Sequence, residues 1–309
     1  MTASASTPSS PSLRAATPHK AFSIERVSAI ASNTLLELVR LKVFYFLLLF
    51  ALGLIGSSIF MVNLSFQDQF QVLKDISLGA MSIFTWLLGL LSTAMLLPKD
   101  TEDRTLYTIL AKPVPRFEYL LGKLLGVFVM LAIALLLMTG GFLIVLYLHE
   151  QKALAELPRM TAPDQLEAAQ AAVRASAFNI NLLPGILTIY LKSALCASFT
   201  LLVSTFSSSW IFTVIVSMMV YFIGHVEGIA REAWLHQASA QNGLPVITSA
   251  FLSLVAIFFP DLQVFSLVDD VVVGTAIPFM LFMKAAVLGI GYSAVYLLVA
   301  YLLFAWKEL

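Results

Sequence analysis

The sequence contains little charge. Only 12% of its 309 residues are Asp, Glu, Lys or Arg, whereas 60% are hydrophobic, and the mean hydropathy is +0.92. A soluble domain averages about 25% charged and 45–50% apolar residues, so this balance predicts a membrane protein. The formal net charge is +0. The chain therefore lacks the basic surface that nucleic-acid binding needs, and we expect no nucleic-acid partner.

The sequence is also nearly free of cysteine. Its single cysteine, Cys196, lies in an apolar run and has no second cysteine for an intrachain disulfide, and no Cys and His spacing matches a zinc site. We expect Cys196 to be a small buried apolar residue. Apart from the adjacent Met218 and Met219, the 11 methionines scatter through apolar runs as core-filling residues do. No metal site is predicted.

The first part of the chain has too little apolar surface to fold. Met1–Pro18 consists almost entirely of Ser, Thr, Ala and Pro, with Arg14 as its only charge. It lacks the apolar centre of a secretory signal peptide. We interpret residues 1–20 as a disordered cytoplasmic tail, followed by a transmembrane domain over residues 21–309.

Apolar runs of transmembrane length occupy most of the remaining chain. A helix needs about 20 apolar residues to cross roughly 30 Å of hydrocarbon. Five runs meet this length, and a sixth, shorter run follows the polar break at Ser207–Ser209 and can extend to Ala230. The sequence therefore predicts an all-α polytopic membrane protein with six transmembrane helices. The six predicted spans are Val43–Val62, Leu78–Leu97, Leu124–Leu148, Pro184–Phe206, Trp210–His225 and Pro278–Phe304.

The distribution of lysine and arginine predicts the orientation of these spans. Short cytoplasmic loops retain basic residues. Most basic residues precede the first span, lie between the second and third, or follow the last, as at Arg40, Lys112 and Lys307. We therefore expect both termini to be cytoplasmic in a multi-pass protein of the cell's inner (plasma) membrane.

An amphipathic pattern precedes the first span. Ile24, Val27, Ala31, Leu35 and Leu38 recur at three- and four-residue spacing, with polar residues between them. This spacing predicts a helix that lies in the cytoplasmic membrane interface.

Two segments are predicted on the outer side. Residues 149–183 form a small helical insert, whose helix is expected to begin with a capping box over Thr161–Asp164 and to run over Gln165–Ala177. Val246–Phe259 is apolar, but at about 1.5 Å per residue it reaches only roughly 21 Å. We interpret it as a re-entrant or interfacial helix before the last span. A seventh, tilted span remains the alternative.

The loop between the second and third spans is the densest polar feature. Thr101 is placed to cap a short helix, with Glu102 and Asp103 in its first turn, where the helix dipole favours acidic residues. Pro113 and Pro115 would end that helix. The pattern predicts a short helix displayed on the cytoplasmic surface. The alternative is a charged connector that only fixes the topology.

The loop and the residues after it form a spaced pattern. Its members are Glu102, Arg104-Thr105-Leu106, Ile109-Leu110-Ala111, Pro113-Val114, Arg116 and Tyr119-Leu120-Leu121-Gly122-Lys123. This pattern resembles the cytoplasmic signature of ATP-binding-cassette (ABC) exporter permeases of the second type, most of all the branch that contains the copper-site maturation permeases of nitrous oxide reductase. Where the family usually has Gly before Thr, this chain has Arg104. The resemblance extends to the amphipathic first helix, the six spans, Pro260-Asp261 and the terminal Lys307-Glu308.

The resemblance implies a function and partners. Residues 21–309 would be the transmembrane domain of a type-2 ABC exporter, and the loop would be the coupling helix that docks on a separate ABC ATPase subunit. The expected unit contains two such ATPase chains and two permease chains, as a homodimer or with a related chain, in membrane lipid. The residues implied for ATPase coupling are Glu102, Arg104, Thr105, Lys112 and Arg116.

The chain itself is not expected to hydrolyse ATP. Gly122-Lys123 lacks the preceding glycine and the following Ser or Thr of a phosphate-binding loop. We therefore expect no cofactor on this chain, and ATP and Mg on the partner ATPase. No catalytic residue is predicted, since the sequence has no H-E-x-x-H or G-x-S-x-G motif and no aspartate centred in a span.

Four polar residues in or near the spans are candidates for a translocation path. Lys192 and Lys284 interrupt two spans, and an ionisable group in a membrane segment is a functional candidate. Snorkelling to the outer interface, or pairing with Asp269 or Asp270, is favoured over substrate contact for both lysines. His225 and Glu227 could line an exit path, although the favoured interpretation is that they are ordinary interface residues.

Two functions remain open. The first is the permease subunit of an ATP-driven exporter of an unidentified substrate. The second is a membrane-anchored assembly or mechanotransmission subunit that passes ATPase work to an outer partner without moving a substrate. A substrate-stimulated flux assay distinguishes the two.

Overall fold

The computed structural model describes residues 22–62, 69–102, 115–160, 162–179, 181–240, 260–274 and 278–306. Within these ranges all regular elements are helical. Short 3-10 turns occur at Pro163–Gln165 and Leu262–Phe265. The α-helices are α1 (Ile24–Val39), α2 (Lys42–Val62), α3 (Gln69–Glu102), α4 (Arg116–Met160), α5 (Leu166–Ala177), α6 (Leu182–Phe206), α7 (Trp210–Ala240), α8 (Val268–Val273) and α9 (Phe279–Trp306).

Five helical segments are long and apolar enough to cross a membrane. They contain α2, α3, α4, α6 and α9, and a shorter apolar stretch, Trp210–Val226, begins α7. Each predicted span lies largely within one of these helices. The chain is thus an all-α polytopic membrane protein, because apolar helices of about 20 residues or more satisfy their backbone polar groups internally in hydrocarbon.

The helices surround a centre formed by α3 and α6, which pack along each other. In α3, 72% of the most apolar stretch is buried inside the protein, against 28% in each of α2 and α9. The outward faces of α2 and α9 carry large exposed apolar side chains, such as Leu49 and Met280. Exposed apolar faces of this extent are expected where lipid is the solvent.

The helix predicted before the first span is present as α1. Val27 and Leu38 of its apolar face are buried, whereas Ile24 is 75% exposed. The buried face packs mainly on α4. We call the end of the helix bundle where α3 stops, before residues 103–114, the loop end. We call the end where α5 lies the insert end.

One predicted helix start is wrong, and a second lies partly outside the described residues. A short helix capped by Thr101 was expected after Pro98, but α3 continues through Pro98 to Glu102. Proline costs one backbone hydrogen bond, and side-chain contacts of Lys99 and Asp100 hold the following turn. The helix expected over Gln165–Ala177 is present as α5, which begins at Leu166 after Gln165, a residue whose side chain makes no capping hydrogen bond. Thr161, the first residue of the expected capping box, lies outside the described residues.

Several predicted segments lie outside the described residues. These are the tail over residues 1–20, most of the loop between α3 and α4, and Val246–Phe259. The predicted insert over residues 149–183 is partly described. It begins as a continuation of α4, which runs unbroken for 45 residues from Arg116 to Met160.

Candidate functional site

A network of buried charges lies at the loop end. Lys123 of α4 is at its centre, with its Nζ 2.8 Å from Oδ2 of Asp100 on α3 and 3.5 Å from Oε2 of Glu37 on α1. The side chains of Lys123 and Asp100 are only 4% and 9% exposed. Tyr119 donates a hydrogen bond to the same Asp100 carboxylate. The network therefore joins three helices at the point where α3 enters the 103–114 loop and α4 leaves it.

Glu37 connects this network to the surface. Its Oε1 accepts a hydrogen bond of 2.9 Å from Nζ of Lys99, the neighbour of Asp100 on α3. Burial raises the pKa of Glu37, but the hydrogen bonds and charges of Lys99 and Lys123 outweigh burial, and the net pKa is below the ordinary value for glutamate. The carboxylate is therefore held in its charged form between two lysines.

A second ion pair fixes the beginning of α1. Arg26 donates two hydrogen bonds to Glu118 on α4, from Nε to Oε2 at 2.6 Å and from Nη2 to Oε1 at 2.8 Å. The backbone N–H of Ser23 adds a third at 3.1 Å. The hydrogen bond to Glu118 raises the pKa of Arg26. Such a two-point contact fixes orientation as well as distance, so the buried Glu118 carboxylate anchors α1.

Two glycines let α1 approach α4 closely. A Cβ atom at Gly122 would lie 2.7 Å from the Cβ of Ile30, and one at Gly126 would lie 2.8 Å from the carbonyl oxygen of Ala31. These distances are too short for any side chain. The spacing Gly122-x-x-x-Gly126 is the small-residue pattern that brings helices into close contact. Backbone proximity and the ion pairs thus bind α1 along the first turns of α4.

Arg116, which was predicted to act with the coupling residues, contacts the end of α9. Its Nη1 donates hydrogen bonds to the carbonyl oxygens of Phe304 (3.0 Å) and Ala305 (2.7 Å) in the last turn of α9. A cation at a helix C-terminus is favoured by the helix dipole. Arg116 therefore joins α4 to α9. Arg104, Thr105 and Lys112 and the side chain of Glu102 lie outside the described residues, so their roles remain predictions.

A second polar cluster lies inside the membrane helices. Lys192 of α6 is 7% exposed, and its Nζ is 2.9 Å from Nε2 of His225 on α7. His225 Nδ1 is 3.1 Å from the carbonyl oxygen of Tyr221. A carbonyl only accepts, so Nδ1 carries the proton and Nε2 is left as the acceptor for the lysine. In this tautomer the imidazole accepts a hydrogen bond from the lysine and takes the place of water around its ammonium group.

Aromatic rings complete this intramembrane cluster. The Lys192 Nζ lies 5.5 Å from the centre of the Tyr221 ring, and Tyr221 stacks on Trp86 of α3 with 3.8 Å between ring centres. The negative face of an aromatic ring attracts a cation. Gln263, in the turn after Pro260-Asp261, donates to the His225 carbonyl at 3.2 Å. The cluster joins α3, α6 and α7 near the centre of the bundle.

Lys192 was expected to snorkel to the outer interface or to pair with Asp269 or Asp270. Its ammonium group lies inside the protein, where it contacts His225 and Tyr221, and this arrangement differs from snorkelling. His225 is half-buried in the same cluster, and its role as an interface or exit-path residue stays a prediction. Lys284 is exposed on α9 and is not part of the cluster. The side chains of Glu227 and Asp269 lie outside the described residues.

Sequence reasoning missed most of the charge network. Lys123 appeared only as the last residue of the loop signature, and Glu37, Asp100 and Glu118 were not singled out. Glu118 and Arg26 are 92 residues apart in sequence, and Lys99 and Glu37 are 62 apart. The available signal was the repeated pairing of acidic and basic residues at the ends of helices that flank one loop. No group of three or more His, Cys, Asp or Glu that could hold a metal ion occurs among the described residues.

No family model matches the chain, and no curated protein is found to be similar to it.

Proposed function

We propose that the chain is the membrane-spanning permease subunit of an ATP-driven type-2 ABC exporter, with the 103–114 loop as its coupling element. The observation that carries the proposal is the buried charge network at the two ends of that loop, where Asp100 and Lys123 are 2.8 Å apart. The loop residues resemble an exporter signature, and the network holds together the two helices that carry the loop.

The contacts at the loop end suit the transmission of force. A coupling element must pass the displacement of an ATPase to the membrane helices. Local bending of the element must not absorb that displacement. The α3 and α4 ends are joined through Asp100 and Lys123, and α1 is joined to both through Glu37 and Glu118. Glu118, Lys123 and Asp100 are buried, and leaving a buried charge unpaired is costly, so the pairs that contain them resist separation. A push on the loop would therefore move α1, α3 and α4 as one body.

The remaining parts of the proposal concern topology and assembly. Six spans require α7 as the fifth in sequence, and its 31 residues reach about 46 Å, enough to cross a bilayer. Both termini and the loop end would then face the cytoplasm, with α1 in the interface and α5 outside. Two such chains would assemble with two ATPase chains in the inner membrane, and ATP and Mg would bind to the ATPases.

The intramembrane cluster is proposed to be part of the translocation path. Lys192 and His225 form a polar site on central helices, where polar groups are costly and usually functional. Contact with substrate would involve this site rather than Lys284, which is exposed on the peripheral helix α9.

The double variant Glu102→Ala/Arg104→Ala tests the coupling role. Truncating charges buried at an interface costs roughly 2–5 kcal/mol, about 30-fold or more in affinity, whereas exposed ion pairs are worth about 0–1 kcal/mol. We expect normal membrane insertion, but reduced ATPase copurification or ATP hydrolysis uncoupled from transport. The matched control is Lys152→Ala/Glu156→Ala, which removes two exposed charges from the opposite end of α4.

Expression, ATPase copurification and coupled activity should be measured side by side in both variants. Wild-type behaviour of the Glu102/Arg104 variant in all three would show that the loop charges only set topology. A substrate-stimulated flux assay on the intact complex then separates an exporter from a mechanotransmission subunit. ATPase coupling without flux would support the second function.

A further inference from the structure

An apolar groove opens between α4, α6 and α9. Its volume is about 350 Å³. Leu121, Leu125 and Phe128 of α4 form one wall, and Ser293 and Leu297 of α9 form the other. Tyr190 of α6 lies at its floor, where its hydroxyl donates a hydrogen bond of 3.2 Å to the carbonyl oxygen of Phe128. The tyrosine hydroxyl therefore has a partner, and the groove lining is almost wholly apolar.

The position of the groove limits what can fill it. All three helices are among those that are long and apolar enough to span a membrane. An apolar cavity of about 150 Å³ stays free of water and binds small hydrocarbons, and this groove is larger still. Since it is open along the flank of the bundle, membrane hydrocarbon has direct access to it.

A cationic residue lies beyond the groove, toward the loop end. About one helical turn past the groove lining, the rings of Phe117 and Tyr301 pack edge to face with centres 5.5 Å apart. Arg116 follows, held between α4 and α9 by its bonds to the carbonyls of Phe304 and Ala305. These three residues do not line the groove. Along α4, the backbone of Arg116 precedes that of Leu121 by about 7.5 Å of helix rise, which is about the length of one lipid headgroup.

We propose that this groove is a binding site for an anionic phospholipid, with an acyl chain between α4 and α9 and the phosphate at Arg116. An acyl chain leaves one hydrocarbon environment for another, so burial alone provides little selectivity. The charge of Arg116 therefore sets the preference, and guanidinium groups bind phosphate through directed hydrogen bonds. An anionic lipid is favoured over a zwitterionic one, because no headgroup cation offsets its phosphate.

Photocrosslinking in vesicles tests the site. The chain is reconstituted into phosphatidylcholine vesicles that contain either phosphatidylglycerol or phosphatidylcholine with the same diazirine in one acyl chain. One basic residue near a membrane surface shifts anionic lipid binding by about fivefold. We expect that preference for the phosphatidylglycerol probe in peptides that contain Leu121–Phe128 and Ser293–Leu297. Arg116→Gln should abolish the preference but retain labelling by both probes.

Filling the groove provides the steric test. Ala294 is an exposed lining residue, and Ala294→Phe should remove labelling of these peptides by both probes. Leu298→Phe, at an exposed position of α9 that does not line the groove, should leave labelling unchanged. Ser293→Leu is a milder second variant if Ala294→Phe does not elute as a folded species.

Three results would overturn the proposal. Equal labelling in the filled and control variants would show only ordinary annular lipid. Equal labelling by both probes in the wild-type chain would remove the role of Arg116. An interchain disulfide in Ser293→Cys, with no lipid labelling of the groove, would show that a second copy occupies it. None of these measurements requires an ATPase, so their failure leaves the proposed permease function to its own test.

Discussion

Breaking the Lys123–Asp100 pair should destabilise the bundle more than breaking any exposed pair. The charged atoms are 2.8 Å apart, and both side chains are almost fully buried. At an effective dielectric constant near 20, two unit charges at this distance attract by about 6 kcal/mol. Desolvation offsets much of that attraction in the intact pair, but a single substitution leaves the other charge buried without its main partner. Removing one partner of a buried ion pair lowers the free energy of unfolding by roughly 3–5 kcal/mol.

The two single variants should differ in a defined order. Lys123→Met removes the cation that lies between Asp100 and Glu37, so it should approach the upper part of this range. Asp100→Asn should cost less, because Lys123 retains Glu37 at 3.5 Å. The double variant should be less destabilised than Lys123→Met alone, because the uncompensated carboxylate is also removed.

Reversible unfolding in mixed detergent micelles would measure these free energies. Lys152→Met removes an exposed lysine from the same helix and should change the free energy of unfolding by about 0.5 kcal/mol or less. Additive effects, with the double variant within about 0.5 kcal/mol of the sum of the singles, would refute the reasoning. The pair would then not interact energetically, whatever its distance.

Two further predictions concern the contact between α1 and α4. Gly126→Ala should cost about 1–3 kcal/mol by overpacking against Ala31, whereas Gly140→Ala, with open space around the new methyl group, should be neutral or stabilising in the same unfolding assay. Equal effects of the two substitutions would contradict the close contact. Because Glu37 has a lowered pKa, its contribution to stability is present above the ordinary glutamate pKa and is lost as the pH falls through the folded-state value. Spin labels at Ser32→Cys and Val129→Cys should therefore separate on acidification, and an identical acid response in Glu37→Gln would show that another group is responsible.

The sequence predicted those features that depend on the solvent. The spans follow from hydropathy, and α1 follows from its three- and four-residue spacing, because lipid and water select such patterns whatever the tertiary contacts. The end of α3 was misjudged for the opposite reason. Pro98 normally disfavours a continuing helix, whereas the contacts of Lys99 with α1 and of Asp100 with α4 favour it here.

The candidate sites were less predictable because they depend on which helices are neighbours. Lys192 alone suggests snorkelling, since nothing in its own span indicates that Tyr221 and His225 lie opposite. The contact of Arg26 with Glu118 joins residues 92 apart, and no local spacing encodes it. The small-residue pattern Gly122-x-x-x-Gly126, which was not singled out from the sequence, marks the helix face on which α1 lies.

The unbroken length of α4 has a mechanical consequence. Its 45 residues reach about 67 Å, more than twice the hydrocarbon thickness of a bilayer. A rigid helix of this length can act as a lever arm. If it pivots near its middle by about 5°, each tip travels about 3 Å, and the tips move in opposite directions. Near the first end of α4, Glu118 forms an ion pair with Arg26 of α1. The other end of α4 precedes the 3-10 turn that leads into α5. A small sideways displacement of α1 would thus be delivered, reversed in direction, to the base of the insert.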